Sequence, residues 1–217
     1  FMKKKILLLI GIILIISLFI LNYYNLLYNK VYSMESFHIK RVLSDIDYDQ
    51  DGIDDYTDIL LGAREYVSSK PIYKSAYYQG GYPPINEGVC TDVIWYALNK
   101  AGYSLKDMID EDIKNNILDY PRVNGKIDSN IDFRRVANLK VFFKKYTLSL
   151  TNDLDNLSSW QPGDIVIFEH HIGIISDKRN KKGYPYLIHQ STRPLKEEDA
   201  ISKYKIIGHY RFKLNNV

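Results

Sequence analysis

The feature that most constrains how this chain can fold is an apolar run over residues 6–21, preceded by three consecutive lysines at residues 3–5. Positive residues before such a run are typical of exported segments, with the lysines kept in the cytoplasm. Together with the tyrosines that follow it, the run reaches the roughly 20 residues that span a bilayer. Because no Ala-x-Ala-like cleavage site follows, we predict an uncleaved signal anchor, a single transmembrane helix, over residues 1–28. A cleaved signal peptide is the alternative.

The net charge of the chain is concentrated in this segment. The 217 residues carry 29 Lys+Arg and 26 Asp+Glu, a formal charge of +3. Residues 1–28 contain three lysines and no acidic residue, so the remainder has a formal charge of zero. Its charges are interspersed and form no basic stripe, so we predict no nucleic-acid partner. We expect a single-pass protein of the bacterial cell membrane with an extracytoplasmic domain, or a secreted protein if the signal is cleaved.

Composition limits the possible classes of fold. The chain has one cysteine, which excludes an intramolecular disulfide scaffold and a Cys-rich zinc site. With 46% hydrophobic and 25% charged residues, it is not typical of disordered, collagen-like or coiled-coil proteins. We expect one domain over residues 45–217, joined to the anchor by a juxtamembrane stem over residues 29–44.

Periodicity divides this domain into helices followed by strands. The spacing of apolar residues predicts helices over residues 53–70, 89–102 and 105–117. The period of residues 138–146 fits either a short helix or a strand. After Trp160, short segments rich in Ile, Val, Tyr and Phe are separated by turn residues, which predicts antiparallel strands. These segments are residues 164–168, 171–177, 184–190 and 205–213. The order predicts an α+β fold.

An acidic segment, DYDQDGIDDYTD, occupies residues 47–58 and follows the spacing of a calcium-binding loop, with glycine at its sixth position. A hard cation needs six or more oxygens, and clustered carboxylates repel one another without it. We predict a structural Ca²⁺ site and no cofactor for catalysis. The predicted ligands are the side chains of Asp47, Asp49, Asp51, Asp55 and Asp58 and the carbonyl of Ile53. The alternative is a solvated acidic turn in which Asp58 caps the helix beginning near Ile59.

Cys90 opens the predicted helix over residues 89–102. A thiol at a helix N-terminus lies at the positive end of the helix dipole, which lowers its pKa and favours the thiolate. Its own backbone N–H is positioned to help bind an oxyanion. The alternative is that Cys90 is a small, buried apolar residue.

Histidines on the predicted strands supply candidate partners for this thiol. His170 and His171 precede one strand, and His189 lies on a neighbouring one. A cysteine nucleophile needs a base within hydrogen-bond reach, and the base needs a third group that orients its ring. Because successive strand residues point to opposite faces, only one of His170 and His171 can face the site.

The segments GVCTDVIWYALNKAG, WQPGDIVIFEHHIGIISD and YLIHQ combine a cysteine that opens a helix, a Pro-Gly-Asp turn and a His-Ile-Gly-Ile strand. In this combination they resemble the NlpC-type cell-wall peptidases of the papain-like superfamily. The segments NIDFRRVANLKVFFKKY and GHYRF resemble more closely one bacterial branch, domain of unknown function 1287. The resemblance extends from about residue 54 to residue 212.

The resemblance implies a papain-like, NlpC-type fold, with N-terminal helices packed on a C-terminal antiparallel sheet. It also implies that Cys90 is the nucleophile, His171 the base and His189 the residue that orients the base. His171 is preferred to His170 because it directly precedes Ile-Gly-Ile. Val89 stands where typical NlpC-type members have Asp, so the substrate preference is not carried over.

Three charged residues are further candidates for substrate binding. Arg134 and Arg135 could clamp a carboxylate of a peptidoglycan stem peptide, with a salt bridge to Asp132 or another acid as the alternative. Asp92 either lines the cleft or caps the helix that begins at Cys90.

We therefore predict a membrane-attached, thiol-dependent amidase or peptidase that cleaves amide bonds in peptidoglycan peptides. One alternative keeps the fold but changes the bond, giving an esterase, thioesterase or acyltransferase. Another is a non-catalytic, calcium-stabilised cell-wall-binding protein.

Overall fold

The computed structural model describes residues 2–24, 26–27, 29–194 and 196–214, and in it helices precede strands along the chain. Within these residues there are five α-helices, namely α1 (Met2–Tyr23), α2 (Asp55–Ser68), α3 (Cys90–Lys100), α4 (Leu105–Asn115) and α5 (Val136–Tyr146). The segment over residues 138–146, whose period is ambiguous in the sequence, is helical. The α+β class predicted from the sequence is confirmed.

The strands form one large sheet and one short pair. β1 (Ile72–Tyr73) and β2 (Glu87–Gly88) pair in parallel. The strands of the large sheet are β3 (Leu148–Ser149), β4 (Ile165–Phe168), β5 (Ile172–Arg179), β6 (Pro185–Ile188), β7 (Glu197–Glu198) and β8 (Ile206–Arg211). They lie in the order β3-β8-β4-β5-β6-β7, and every neighbouring pair is antiparallel. The four predicted strand segments form β4, β5, β6 and β8.

The main core lies where α2, α3 and β5 pack together. The apolar face of α3 is fully buried there, through Val93, Ile94, Ala97 and Leu98. Alternate residues of β4 pack into different hydrophobic clusters. Ile165 packs into the main cluster, and Val166 packs into a second cluster around Trp160. Both faces of β4 are thus covered, which is why its sequence is apolar without interruption. Each fully buried Ile, Leu or Val contributes about 1.5–3 kcal/mol to the free energy of unfolding.

Two segments lie N-terminal to this core. α1 has the length and apolar composition needed to cross a membrane, and none of its described residues is buried. Residues 29–44, the predicted stem, are tied to the domain. Tyr32 exchanges backbone hydrogen bonds of 2.9 and 2.8 Å with Arg179 at the end of β5, and Met34 and Ile39 are buried.

Candidate active site

Cys90 lies where the start of α3 meets the start of β5. It is the first residue of α3, and only 7% of its surface is exposed. The backbone N–H groups of Ile172, Thr91 and Cys90 itself act on the sulfur and favour its charged form. Because Ile172 is the first residue of β5, this contact brings the residue before it, His171, close to the thiol.

A chain of hydrogen bonds runs from His171 into the interior. The His171 Nε2 and His189 Nδ1 atoms are 2.7 Å apart, and His189 Nε2 lies 3.1 Å from Glu198 Oε1. The same Glu198 oxygen accepts a 2.6 Å hydrogen bond from Arg193 Nε. His189 and Glu198 are fully or almost fully buried, whereas His170 is exposed. We call the series Glu198, His189 and His171 the relay.

The charged end of the relay decides which nitrogen atoms carry protons. Burial acts to raise the pKa of Glu198, but hydrogen bonds from His189 and Arg193 lower it to about 2, so Glu198 is ionised and can only accept. His189 Nε2 therefore carries a hydrogen, and its Nδ1 accepts one from His171 Nε2. His171 Nδ1 is left with a free lone pair, which is what a general base requires.

Burial keeps both the thiol and the imidazole neutral at pH 7. It raises the pKa of Cys90 to about 11, outweighing the neighbouring N–H groups. Burial, with the electrostatic interaction between the two imidazoles, lowers the pKa of His171 to about 3. The prediction that the helix dipole lowers the pKa of Cys90 is wrong, because desolvation is the larger effect. A nucleophilic role for Cys90 would therefore require proton transfer from sulfur to nitrogen during the attack.

Gly173 allows β5 and β6 to approach closely enough to form the relay. A Cβ atom at Gly173 would lie 2.7 Å from Leu187 Cδ1, 2.8 Å from the Ile188 carbonyl oxygen and 3.2 Å from His189 Cβ. Contacts this short are too close for a side chain on β5. The glycine of the His-Ile-Gly-Ile segment thus lets His189 lie beside His171.

Glu198 has no counterpart among the residues predicted from the sequence. It lies on the two-residue strand β7, where Glu197 stands next to it. Glu197 forms ion pairs with Arg64 at 2.6 Å and with Lys178 at 2.7 Å. Only the register of the strands, which pairs Glu198 with Leu187, aligns one of the two glutamates with His189. In the sequence, the only signal for Glu198 is that an acidic residue follows the strand segment that ends near His189.

Asp92 and Arg134 form a buried, bidentate ion pair, with Arg134 Nε and Nη2 lying 2.7 and 2.8 Å from the Asp92 carboxylate oxygens. Asp92 also accepts hydrogen bonds from the Val89 backbone N–H and the Trp95 indole, at 2.7 and 2.8 Å. Arg134 donates to the Ala76 carbonyl oxygen at 3.1 Å. Asp92 therefore caps α3, and the interpretation of this pair as substrate-binding is corrected, because both side chains are occupied inside the protein.

Arg135 is also engaged within the protein. Its Nη1 lies 3.2 Å from Asp132 Oδ1 and also donates to the Arg122 carbonyl oxygen. The substrate-binding interpretation of Arg135 is corrected in the same way, since this is the salt bridge that stood as its alternative.

A cleft opens beside His171. Its lining includes Phe168, His170, Arg193, Lys203 and Lys205, and the end of α1 at Tyr23 and Tyr24. Arg193 Nη2 donates to the Tyr23 carbonyl oxygen at 2.5 Å, and the guanidinium lies 5.1 Å from the Tyr23 ring centroid. The cleft thus combines cationic side chains with the end of the apolar helix.

The acidic loop lies at the other end of α3. Three of the predicted ligands converge. They are Asp47, Asp49 and Asp51, and one carboxylate oxygen from each lies within 4.8 Å of the other two. Asp55 is directed elsewhere, because its oxygens accept hydrogen bonds from the Tyr48 backbone N–H at 2.9 Å and from the Tyr103 hydroxyl at 2.6 Å. The structure therefore does not bring Asp55 into the cluster.

The remaining predicted loop residues lie at the junction with α2. The Ile53 N–H donates to Asp51 Oδ1 at 2.9 Å. Asp54 caps α2, accepting the N–H of Tyr56 at 3.2 Å. The alternative in which Asp58 caps the helix is wrong, because α2 begins at Asp55 and Asp58 lies within it, fully buried.

Comparison with known proteins assigns the chain to a family. No solved structure matches it. It is similar to the uncharacterized protein YijF of Escherichia coli (strain K12), with 36% identity over 166 residues, which are 71% of this chain and 80% of YijF. Residues 60–212, which include Cys90 and the whole relay, match the domain of unknown function DUF1287. The chain therefore belongs to the DUF1287 family, the branch that its sequence resembles.

Proposed function

We propose that this protein is an extracytoplasmic, membrane-anchored cysteine hydrolase with a papain-like, NlpC-type fold. The bond that we propose it cleaves is an amide bond in peptidoglycan peptides. The observation that carries the proposal is the relay, which leaves a lone pair on His171 Nδ1 in the residue before Ile172, whose backbone N–H acts on the Cys90 thiol. A merely structural cysteine needs no such arrangement of buried histidines and an ionised glutamate.

The reaction follows from the protonation states of the two groups. The Cys90 sulfur attacks the carbonyl carbon while its proton passes to His171 Nδ1, and the Cys90 backbone N–H binds the developing oxyanion. His171 then protonates the leaving amine as the C–N bond breaks, which leaves a thioester on Cys90. Water attacks the thioester and loses its proton to His171. Release of the acid and return of the proton to sulfur restore the resting pair.

Cleavage of an amide requires His171 to act as an acid toward the leaving group. An amine leaves only after protonation, so the step needs a strong acid in contact with the nitrogen. Burial lowers the pKa of His171 to about 3, which makes its protonated form a strong acid that transfers the proton readily. The negative charge of Glu198 stabilises that protonated form, because it acts to raise the pKa of His171.

The charge of the cleft supports a peptide substrate that carries carboxylates. Lys203 and Lys205 line the cleft beside His171 together with Glu169, whereas Arg193 in the same lining is paired with Glu198. Peptidoglycan stem peptides carry several carboxylates, and paired cations would orient them. Because Tyr23 at the end of α1 borders the same cleft, the proposed site faces wall material close to the membrane surface.

The test uses the full-length protein in detergent micelles, incubated with purified muropeptides and separately with acyl esters, with products identified by mass spectrometry. We expect the wild type to release a free amine from the muropeptides. Cys90→Ala should reduce this release to the background rate while keeping the Tm of the wild type. Cleavage of esters alone would support the esterase alternative. Amide cleavage that persists in Cys90→Ala would overturn the mechanism, and no cleavage of either substrate would favour a binding protein.

A further inference from the structure

The acidic loop contains a buried carboxylate for which the described part of the chain supplies no hydrogen-bond partner. Asp58 is 0% exposed, and neither of its two oxygens forms a hydrogen bond with any described residue. Leaving an ionised carboxylate buried and unpaired is costly, and protein interiors normally pair such groups or use them to bind metal ions. The contrast with Asp54, which caps α2 four residues earlier, shows that Asp58 has no role in helix capping.

Asp58 lies in the first turn of α2, at the end of the acidic segment, and outside the group of three carboxylates whose oxygens lie within 4.8 Å of one another. The charges of Asp51 and Asp49 act on this buried carboxylate. Carboxylates placed this close together repel one another. Lys100, which is exposed at the end of α3, acts on Asp58 in the opposite sense to these two aspartates.

Within the loop, Asp47 accepts the backbone N–H groups of Asp51 and Gly52, and further contacts outside the carboxylate cluster hold the loop against the end of α3. Tyr48 stacks on Tyr103 with 4.2 Å between ring centroids, and Asp55 bonds to both residues. The backbone at Gly102 passes so close that a Cβ there would lie 2.9 Å from Asp49 Cβ. These contacts tie the loop to the end of α3 and leave the carboxylates of Asp47, Asp49 and Asp51 directed toward one another.

We propose that Asp47, Asp49, Asp51 and Asp58 bind one Ca²⁺ ion, with Asp58 as the bidentate ligand at the twelfth position of the loop. The carbonyl of Ile53 and water complete the six to eight oxygens that Ca²⁺ takes. Asp55 positions the loop and does not bind the ion. The ion joins the acidic loop to the first turn of α2, and its role is structural. This proposal is independent of the proposed hydrolase activity.

Direct binding is measured by isothermal titration calorimetry of CaCl₂ into the full-length protein in calcium-free detergent buffer. Sensitised luminescence of Tb³⁺ from Tyr48 gives a second signal from the same loop. We expect one Ca²⁺ per chain with a Kd on the order of 10⁻⁵–10⁻³ M and much weaker binding of Mg²⁺, which requires a more regular octahedral site. Absence of Ca²⁺ binding at millimolar concentrations would overturn the proposal.

Thermal unfolding of Asp58→Asn tests the proposal because the substitution should have opposite effects on Tm with and without Ca²⁺. At free Ca²⁺ about 100-fold above Kd, we expect the wild-type Tm to rise by roughly 5–10 °C relative to EGTA. Asp58→Asn should lose most of this rise but match or exceed the wild-type Tm in EGTA, because the unpaired charge is gone. Glu111→Gln, which removes one carboxylate from an exposed position on α4, should rise as the wild type does. If Asp58→Asn gains as much stability from Ca²⁺ as the wild type, Asp58 is not a ligand.

Discussion

The two ends of α3 carry polar clusters of opposite character. At the N-terminal end, Cys90 meets a relay in which His171, His189 and Glu198 all have hydrogen-bond partners. At the C-terminal end, the acidic loop brings together carboxylates and leaves Asp58 buried and unpaired within the described chain. A complete network is rigid and ready to act, whereas an incomplete one indicates a ligand that the chain does not supply.

The same contrast applies to two buried aspartates. Asp92 and Asp58 are both 0% exposed, yet Asp92 has a bidentate arginine and Asp58 has no hydrogen-bond partner among the described residues. Asp92 is stabilised by its own chain, and its removal or that of Arg134 should be costly. In our proposal, Asp58 is instead stabilised by an ion from solution. Variants at these positions test this difference.

The largest effect is expected at the base. His171→Gln removes the lone pair that accepts the thiol proton, so kcat should fall about 10³-fold. The control variant His38→Gln changes an exposed histidine that does not line the cleft and should retain activity within about threefold of the wild type. Steady-state kinetics on the muropeptide substrate measures both. Equal losses in the two variants would show that the relay does not select His171.

Next in size is the effect of breaking the buried ion pair. Arg134→Met leaves Asp92 charged and unpaired, so we expect the free energy of unfolding to fall by about 3–5 kcal/mol. Denaturant titration followed by circular dichroism measures the change. If Arg134 instead bound a substrate carboxylate, KM would rise and the stability would stay near that of the wild type.

A smaller effect is expected at the far end of the relay. Glu198→Gln removes the charge that raises the pKa of His171, so the base becomes weaker and kcat should fall about 10–100-fold with KM little changed. Glu197→Gln is the control, since Glu197 pairs with Arg64 and Lys178 outside the relay. It should reduce stability but leave kcat within about threefold. An equal loss of kcat in Glu197→Gln would show that kcat depends on the total negative charge of β7 and not on the hydrogen bond between Glu198 and His189.

The smallest effect concerns pH. The base acts in its neutral form, which predominates above its pKa, and burial lowers that pKa to about 3. The value of kcat/KM should therefore stay nearly constant as the pH falls from 7.5 to 5, without the decline near 6.5 of an ordinary histidine. A substrate with amidated carboxylates removes the titration of the substrate itself. A midpoint near pH 6.5 would show that His171 is solvated during catalysis.

Local patterns predicted the elements better than the contacts between them. The helical spacing in α3 and the short apolar segments of β4, β5 and β6 were sufficient to predict those elements. The partner of Asp92 is 42 residues away on a 3-10 turn, and Glu198 lies on a strand of two residues, so no local periodicity marks either one. The direction of the pKa shift at Cys90 could not be predicted, because it depends on how deeply the thiol is buried. That burial is set by the packing of the whole domain.

The central claim is that Cys90 carries the acyl group during turnover. Intact-mass and peptide mass spectrometry of acid-quenched reactions with muropeptide measures this directly. We predict an added acyl mass on the peptide containing Cys90, formed at the rate of amine release and absent in His171→Gln. Amine release without any adduct on that peptide, at an equal rate in the wild type and Cys90→Ala, would contradict it.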